Sequence, residues 1–207
     1  MTRLTTFLPL CIVAVVSMGL QGAMAQTTAT PDPAPATEAP KIEDQLSLGT
    51  DANADPEIGQ PYTKEVIGAW QMRCIKTETD EDPCQMYQLM GNEEGTPVAE
   101  ISLFRLSGEG QAKAGATVVV PLETALPSQL LVQVDNNEPR RYPYAFCNPV
   151  GCYARIGLTE ADVEAYKRGK VAKLTIVPAL ALDQKVELNV SLDGFTASYE
   201  KSTIMSQ

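Results

Sequence analysis

"AWQMRC", residues 69–74, alternates with a period of two. Trp70, Met72 and Cys74 fall on one side and Gln71 and Arg73 on the other, the pattern of a half-buried β-strand. Working outward, the same period recurs. "CQMYQLM", residues 84–90, sets Met86, Gln88 and Met90 against Gln85, Tyr87 and Leu89. "VAEISLFRL", residues 98–106, sets Ala99, Ile101 and Leu103 against Glu100 and Ser102. "ATVVVPL", "QLLVQVD", "AKLTIVP" and "VELNVSL" follow, with "RRYPYAF" and "YARIGL" flanking a cysteine pair. Each run is short, rich in β-branched or aromatic residues, and bounded by Gly, Pro, Asn or Asp. "GNEEG" at 91–95 and "DNNEP" at 135–139 are turn chemistry.

Helical period is scarce. In "LTEADVEAYKRGK", Thr159 is an N-cap with Asp162 three residues on, Glu164 and Arg168 form an i,i+4 pair, and Gly169 is a C-cap. "GFTASYEK" predicts a second short helix. The sum is a mainly β protein: a β-sandwich of about seven or eight short antiparallel strands with one or two helices, spanning residues 61–207.

The chain before it has a different character. Arg3, the apolar run 7–20 and the small-x-small Ala23-Met24-Ala25 predict a signal peptide over residues 1–25, cleaved after Ala25. Cys11 lies inside the apolar run rather than at the cleavage point, which argues against a lipid anchor. Residues 26–60 are rich in Pro, Ala and Thr, and their seven carboxylates face only Lys41. That composition predicts a disordered acidic linker, within which "IEDQLSL" at 42–48 is long enough for one helical turn or a docking peptide. The mature chain is expected to be periplasmic, outer-surface or secreted, without a transmembrane segment.

Composition narrows the chemistry. The chain contains no histidine, so Ser-His-Asp and Cys-His nucleophiles and every His-containing metal site are excluded. A formal charge of −10 argues against nucleic acid as a partner. No Gly-x-Ser-x-Gly elbow is present, and no pair of carboxylates is marked for acid–base work. No catalytic residue, cofactor or metal is expected.

Loss of the leader leaves Cys74, Cys84, Cys147 and Cys152. An even count in an oxidising compartment reads as disulfides. Of three connectivities, Cys74–Cys84 and Cys147–Cys152 close short local loops, each worth about 2–3 kcal/mol on a chain-entropy estimate. "FCNPVGC", residues 146–152, reads as a pinched hairpin tip. A redox centre would use Cys-x-x-Cys at a helix start, and the nine residues between Cys74 and Cys84 do not fit a zinc knuckle. "TETDED", residues 77–82, lacks the glycine of a calcium loop and reads as a solvated acidic loop.

From Arg140 to Lys173 the charge turns positive, with tyrosines interleaved. Arg140, Arg141, Tyr142, Tyr144 and Arg155 form the candidate partner surface, since Arg and Tyr are favoured at interfaces. The three arginines are expected to approach one another across the stapled hairpin. The plainer reading is a set of outward positions that happen to be basic, with Lys167, Arg168 and Lys170 complementing a helix C-terminus.

"GAWQMRC", "PCQMYQLM", "PVAEISLFRL", "GATVVVPLETALP", "YPYAFCNPVGCYARIGLT" and "SLDGFTASYEK" occur in this order, from about Tyr62 to Lys201. Together they resemble the invasion-associated locus B family of exported alphaproteobacterial proteins. The resemblance implies a periplasmic or outer-surface β-sandwich with disulfides, and the four cysteines match the family pattern. It carries no catalytic residues. The expected function is a non-enzymatic module that binds an envelope or extracellular protein or glycan. An envelope-stress or assembly factor acting through a strand edge is the alternative. A histidine-free hydrolase or thiol–disulfide protein ranks third.

Overall fold

The computed structural model describes Leu46, Ser47, Gly49, Asp51 and residues 54–206, apart from Asp80 and residues 92–94. The expected leader and most of the expected linker, including 42–45 of "IEDQLSL", lie outside the described residues. The chain divides into two units, residues 1–50 and 51–207, and the second carries every element below.

Among the described residues twelve strands form two sheets. The larger runs β1 (Pro61–Ile67), β2 (Trp70–Ile75), β3 (Cys84–Gly91), β4 (Pro97–Leu106), β5 (Ala112–Val120), β9 (Gly151–Thr159), β8 (Tyr144–Asn148). The smaller runs β11 (Val186–Ser191), β10 (Val171–Ile176), β6 (Leu130–Val134), β7 (Arg140–Tyr142). All of these neighbours are antiparallel. β12 (Ile204–Met205) joins β4 in parallel, taking over the ladder where β3 begins. There Thr203 exchanges hydrogen bonds with the Cys84 backbone, and Arg105 donates twice to the Ser202 carbonyl.

The fold is the expected mainly β sandwich, with more strands than seven or eight. One reason is Pro143, which interrupts "RRYPYAF". Without an N–H it cannot continue a ladder, so the chain leaves the small sheet after Tyr142 and enters the large sheet at Tyr144. β1 and β12 add two strands that the sequence reading did not name.

The two-residue period places the core. Trp70, Met72, Met86, Met90, Ile101 and Leu103 point between the sheets and are buried, and Leu130, Leu174, Leu188 and Val190 meet them from the small sheet. On the opposite face Tyr87 is also buried, because the Arg73 guanidinium lies 3.2 Å from its ring centre and its hydroxyl donates to Glu100 at 2.7 Å.

Two helices close one end. α1 (Glu160–Arg168) starts with the capping box that Thr159 and Asp162 predict, and Gly169 caps its last turn. Glu164 pairs with Lys167 at 3.0 Å rather than with Arg168. Residues three and four apart are both in reach on a helix, and Lys167 stands on the side of the Tyr199 ring, 5.5 Å from its centre. α2 (Phe195–Lys201) puts Phe195 against Trp70, Tyr166 and Tyr199, with ring centres 5.4–5.8 Å apart. Full burial of such a ring contributes about 1.5–3 kcal/mol. Gly194 makes this packing possible: its φ is +77°, and a Cβ there would stand 2.3 Å from the Ile67 carbonyl.

Candidate interaction surface

The hairpin of β8 and β9 is built from four local devices. Asn148 turns the chain by accepting from the N–H groups of Val150 (2.9 Å) and Gly151 (3.3 Å), an Asx-type turn. Gly151 passes so close to β5 that a Cβ would meet the Val120 carbonyl at 2.5 Å. Cys147 and Cys152, directly opposite in the ladder, are joined by a disulfide. Cys152 is 1% exposed while Cys147 is open to solvent.

The fourth device is a bulge. The register shifts between Tyr144 and Phe146, so Tyr144 pairs with Ala154 and Phe146 with Tyr153. Ala154 faces the core and Tyr153 does not, so the extra residue, Ala145, sends Tyr144 inward and Phe146 outward. A bulge re-aims side chains in this way. Phe146 is 43% exposed and stacks on Tyr153, with ring centres 4.6 Å apart and planes 11° from parallel. Asn148 donates to the Tyr153 hydroxyl at 3.3 Å, and the Arg155 guanidinium lies 5.4 Å from the Phe146 ring centre. Val150, 74% exposed, forms the tip. The result is a preorganised, outward aromatic platform with one cation over it.

The five sequence-selected residues take separate roles. Arg155 belongs to this platform. Tyr144 packs against the core, its buried hydroxyl without a hydrogen-bond partner among the described residues, and burial pushes its phenol up to about 12. Tyr142 also packs against the core, and its phenol is raised by burial first and by Asp162 second. It lines a groove of about 230 Å³ between the small sheet and α1, with Val132, Val134, Arg140, Leu158 and Tyr166. Arg140 donates to Asp162 at 2.9 Å, on the same carboxylate oxygen that holds the Thr159 N–H and hydroxyl. Arg141 donates to the Ser128 carbonyl at 3.2 Å. Arg140 and Arg141 therefore do not share a hairpin with Arg155, because Pro143 places them in the other sheet. Phe146 and Val150 are the surface residues that the sequence reading left out, while Tyr153 is one of the tyrosines it noted among the basic residues. The Phe beside the first cysteine of "FCNPVGC" was the available signal.

The first cysteine pair lies elsewhere. Cys74 and Cys84 face each other across β2 and β3 and are bonded. Asp82 organises the connecting loop. It accepts from the Tyr62 hydroxyl (2.7 Å), the Thr77 N–H (2.7 Å) and hydroxyl (2.9 Å), and Lys76 (3.4 Å). The Tyr62 and Thr77 hydrogen bonds hold its carboxyl well below the usual range. Asp82 is thus a structural anchor. Among the described residues no group of three or more Cys, Asp or Glu is placed to hold a metal, and no helix is long and apolar enough to cross a membrane.

The family model for invasion associated locus B (IalB) protein matches residues 70–203. The chain belongs to the IalB family. The matched span runs from the Trp70 strand to Thr203 beside Cys84, so it contains both cystines and the β8–β9 platform. The crystal structure of invasion associated protein B from Bartonella henselae is similar, with a TM-score of 0.54 and 25% identity. The alignment covers 65% of this chain and 91% of that one. No curated protein sequence matches the chain. IalB family proteins are exported, and two disulfides accord with an extracytoplasmic location. The family has no known catalytic activity.

Proposed function

We propose that this IalB-family chain is a non-enzymatic binding module of the periplasm or cell surface, exported after cleavage behind Ala25, and that it engages an envelope or extracellular partner through the outer face of the β8–β9 hairpin. The observation that carries this reading is the Phe146–Tyr153 stack with Arg155 above it, held at an exposed sheet margin. Exposed aromatic residues beside arginine are the composition of binding hot spots. Their fixed geometry lowers the ordering cost of association. Arg141, exposed on the edge strand of the small sheet, is proposed as a second cation for the partner.

The open edge of β8 favours a second reading, an envelope assembly factor that holds extended segments of partly folded clients. Capture of partners from the native envelope separates the two. A single stoichiometric partner lost on Phe146→Ser substitution supports the binding module. A broad set of unfolded clients supports the assembly factor.

A further inference from the structure

Among the described residues β1 and β8 end the large sheet and β11 and β7 the small one, with the two-residue β12 beside β4, and three of these four ends are guarded. β1 carries Lys64 and Glu65, the latter paired with Lys201 at 2.7 Å, and its register shifts between Thr63 and Glu65. β11 carries Glu187, paired with Lys173 at 2.9 Å. β7 is three residues long, and two of them are arginines. Charge, bulges and shortness are the usual protections against edge pairing. β8 ends the large sheet, yet Tyr144–Asn148 holds no charged residue, and 145–148 are exposed. Its bulge re-aims Phe146 instead of hiding the strand.

We infer that the open edge of β8 takes up an extended, acidic polypeptide segment as an additional strand of the large sheet. This inference rests on the binding-module reading and names the partner class. Three observations support it. First, the cystine, the Asx turn and Gly151 hold β8 in one register on β9, so the edge is preformed and little order is lost on pairing. Second, an added strand would lie about 4.8 Å from β8, which places its alternate side chains beside the outward Phe146 ring. Third, the charge on Arg155 is carried toward that edge. Its backbone is in β9, but its guanidinium lies over Phe146 of β8. No carboxylate pairs with it among the described residues. A Glu or Asp on the incoming strand supplies the missing partner. The chain is negative overall, but Tyr144–Asn148 and Gly151–Thr159 contain no Asp or Glu, and their one charged residue is Arg155. A second copy fits less well. Two-fold pairing of β8 with itself would bring two Arg155 cations to one seam, and a five-residue edge covers far less than the roughly 1,600 Å² of a standard interface.

The test uses the full exported chain and three fluorescein-labelled eight-residue peptides: alternating valine and glutamate, alternating valine and lysine, and the acidic peptide N-methylated at alternate amides. The acidic peptide should bind, slow amide exchange in β8, and weaken by about tenfold or more with Arg155→Glu, the range expected when a close charge pair is reversed. Arg155→Gln should weaken it less, and the lysine and N-methylated peptides should fail. Absence of acidic-peptide binding overturns the inference, as does equal binding of the lysine peptide, equal binding by Arg155→Glu, or unchanged exchange in β8. Concentration-dependent protection of β8 without peptide would assign the edge to a second copy and also overturn it. If the peptide fails while native partner capture still depends on Phe146, the binding-module reading stands and this inference alone falls.

Discussion

Gln88 on β3 and Ser191 at the end of β11 join the two sheets. The Gln88 amide, 8% exposed, donates from Nε2 to the Ser191 carbonyl at 3.0 Å and accepts the Ser191 N–H on Oε1 at 2.8 Å. A side chain on the core face thus completes the backbone pairing of a strand in the opposite sheet. Gln88→Ala would strip both partners from Ser191. Leaving buried groups unpaired costs about 1–3 kcal/mol each, and Ser191 is half-buried, so urea unfolding should show a loss in the lower part of the combined range, about 2–4 kcal/mol. An unchanged midpoint would mean that the amide bridge contributes nothing to stability.

Asp82 predicts an acid-sensitive term. Its folded carboxyl is held below its ordinary value, first by the Tyr62 hydroxyl and next by the Thr77 N–H. A depressed folded value adds stability that is fully present above the unfolded value of about 3.9 and is lost as pH falls toward the folded one. Asp82→Asn should therefore be less stable than the wild type at neutral pH. Denaturant midpoints of the two should converge on acidification below about pH 4. A difference that stays constant across that window would rule out the carboxylate as its source.

Tyr144 predicts the opposite kind of change. Its buried hydroxyl has no partner among the described residues, an arrangement that costs about 1–3 kcal/mol. Tyr144→Phe should raise the melting temperature. Burial pushes the Tyr144 phenol up to about 12, so its contribution to the alkaline slope holds below the unfolded value of about 10 and is lost as pH rises through the folded one. Part of that slope should vanish in Tyr144→Phe. A lower melting temperature would show that the hydroxyl has a partner in solution.

Peptide mapping without reduction should find Cys74 joined to Cys84 and Cys147 to Cys152, each pair directly opposite in a ladder. Replacing Cys147 and Cys152 together by Ser should lower stability by about 2–3 kcal/mol and speed amide exchange in β8. A Cys74–Cys147 peptide would contradict the strand register itself.

The parts of this fold that local rules govern were legible. Trp70, Met72, Met86, Met90, Ile101 and Leu103 announce a strand face because alternation is a property of a few consecutive residues. Thr159 and Asp162 announce α1 because a capping box lies within four. What escaped depends on distant partners. Arg140 reads as an unassigned cation until Asp162, 22 residues on, is brought to it. Tyr142 and Tyr144 read as surface residues beside arginines, yet Pro143 and the bulge at Ala145 turn both rings toward the core. The same bulge puts Phe146 outside, which no period of two would suggest. Of the five residues chosen as a surface, Arg155 gains importance by the company of Phe146 and Tyr153.

Partner binding on the outer face of the β8–β9 hairpin, as proposed, can be read out in one experiment. The most direct measurement is quantitative capture from the native envelope with wild-type chain, Phe146→Ser and Arg155→Glu as bait, across a salt series. Both changes lie at exposed positions, where substitutions usually stay within about 0.5 kcal/mol, and matched melting curves would confirm intact folding. One partner should be captured by the wild type and lost with Phe146→Ser. With Arg155→Glu its binding should be weaker and less dependent on salt. Equal capture of that partner by all three baits at every salt concentration would contradict the proposal.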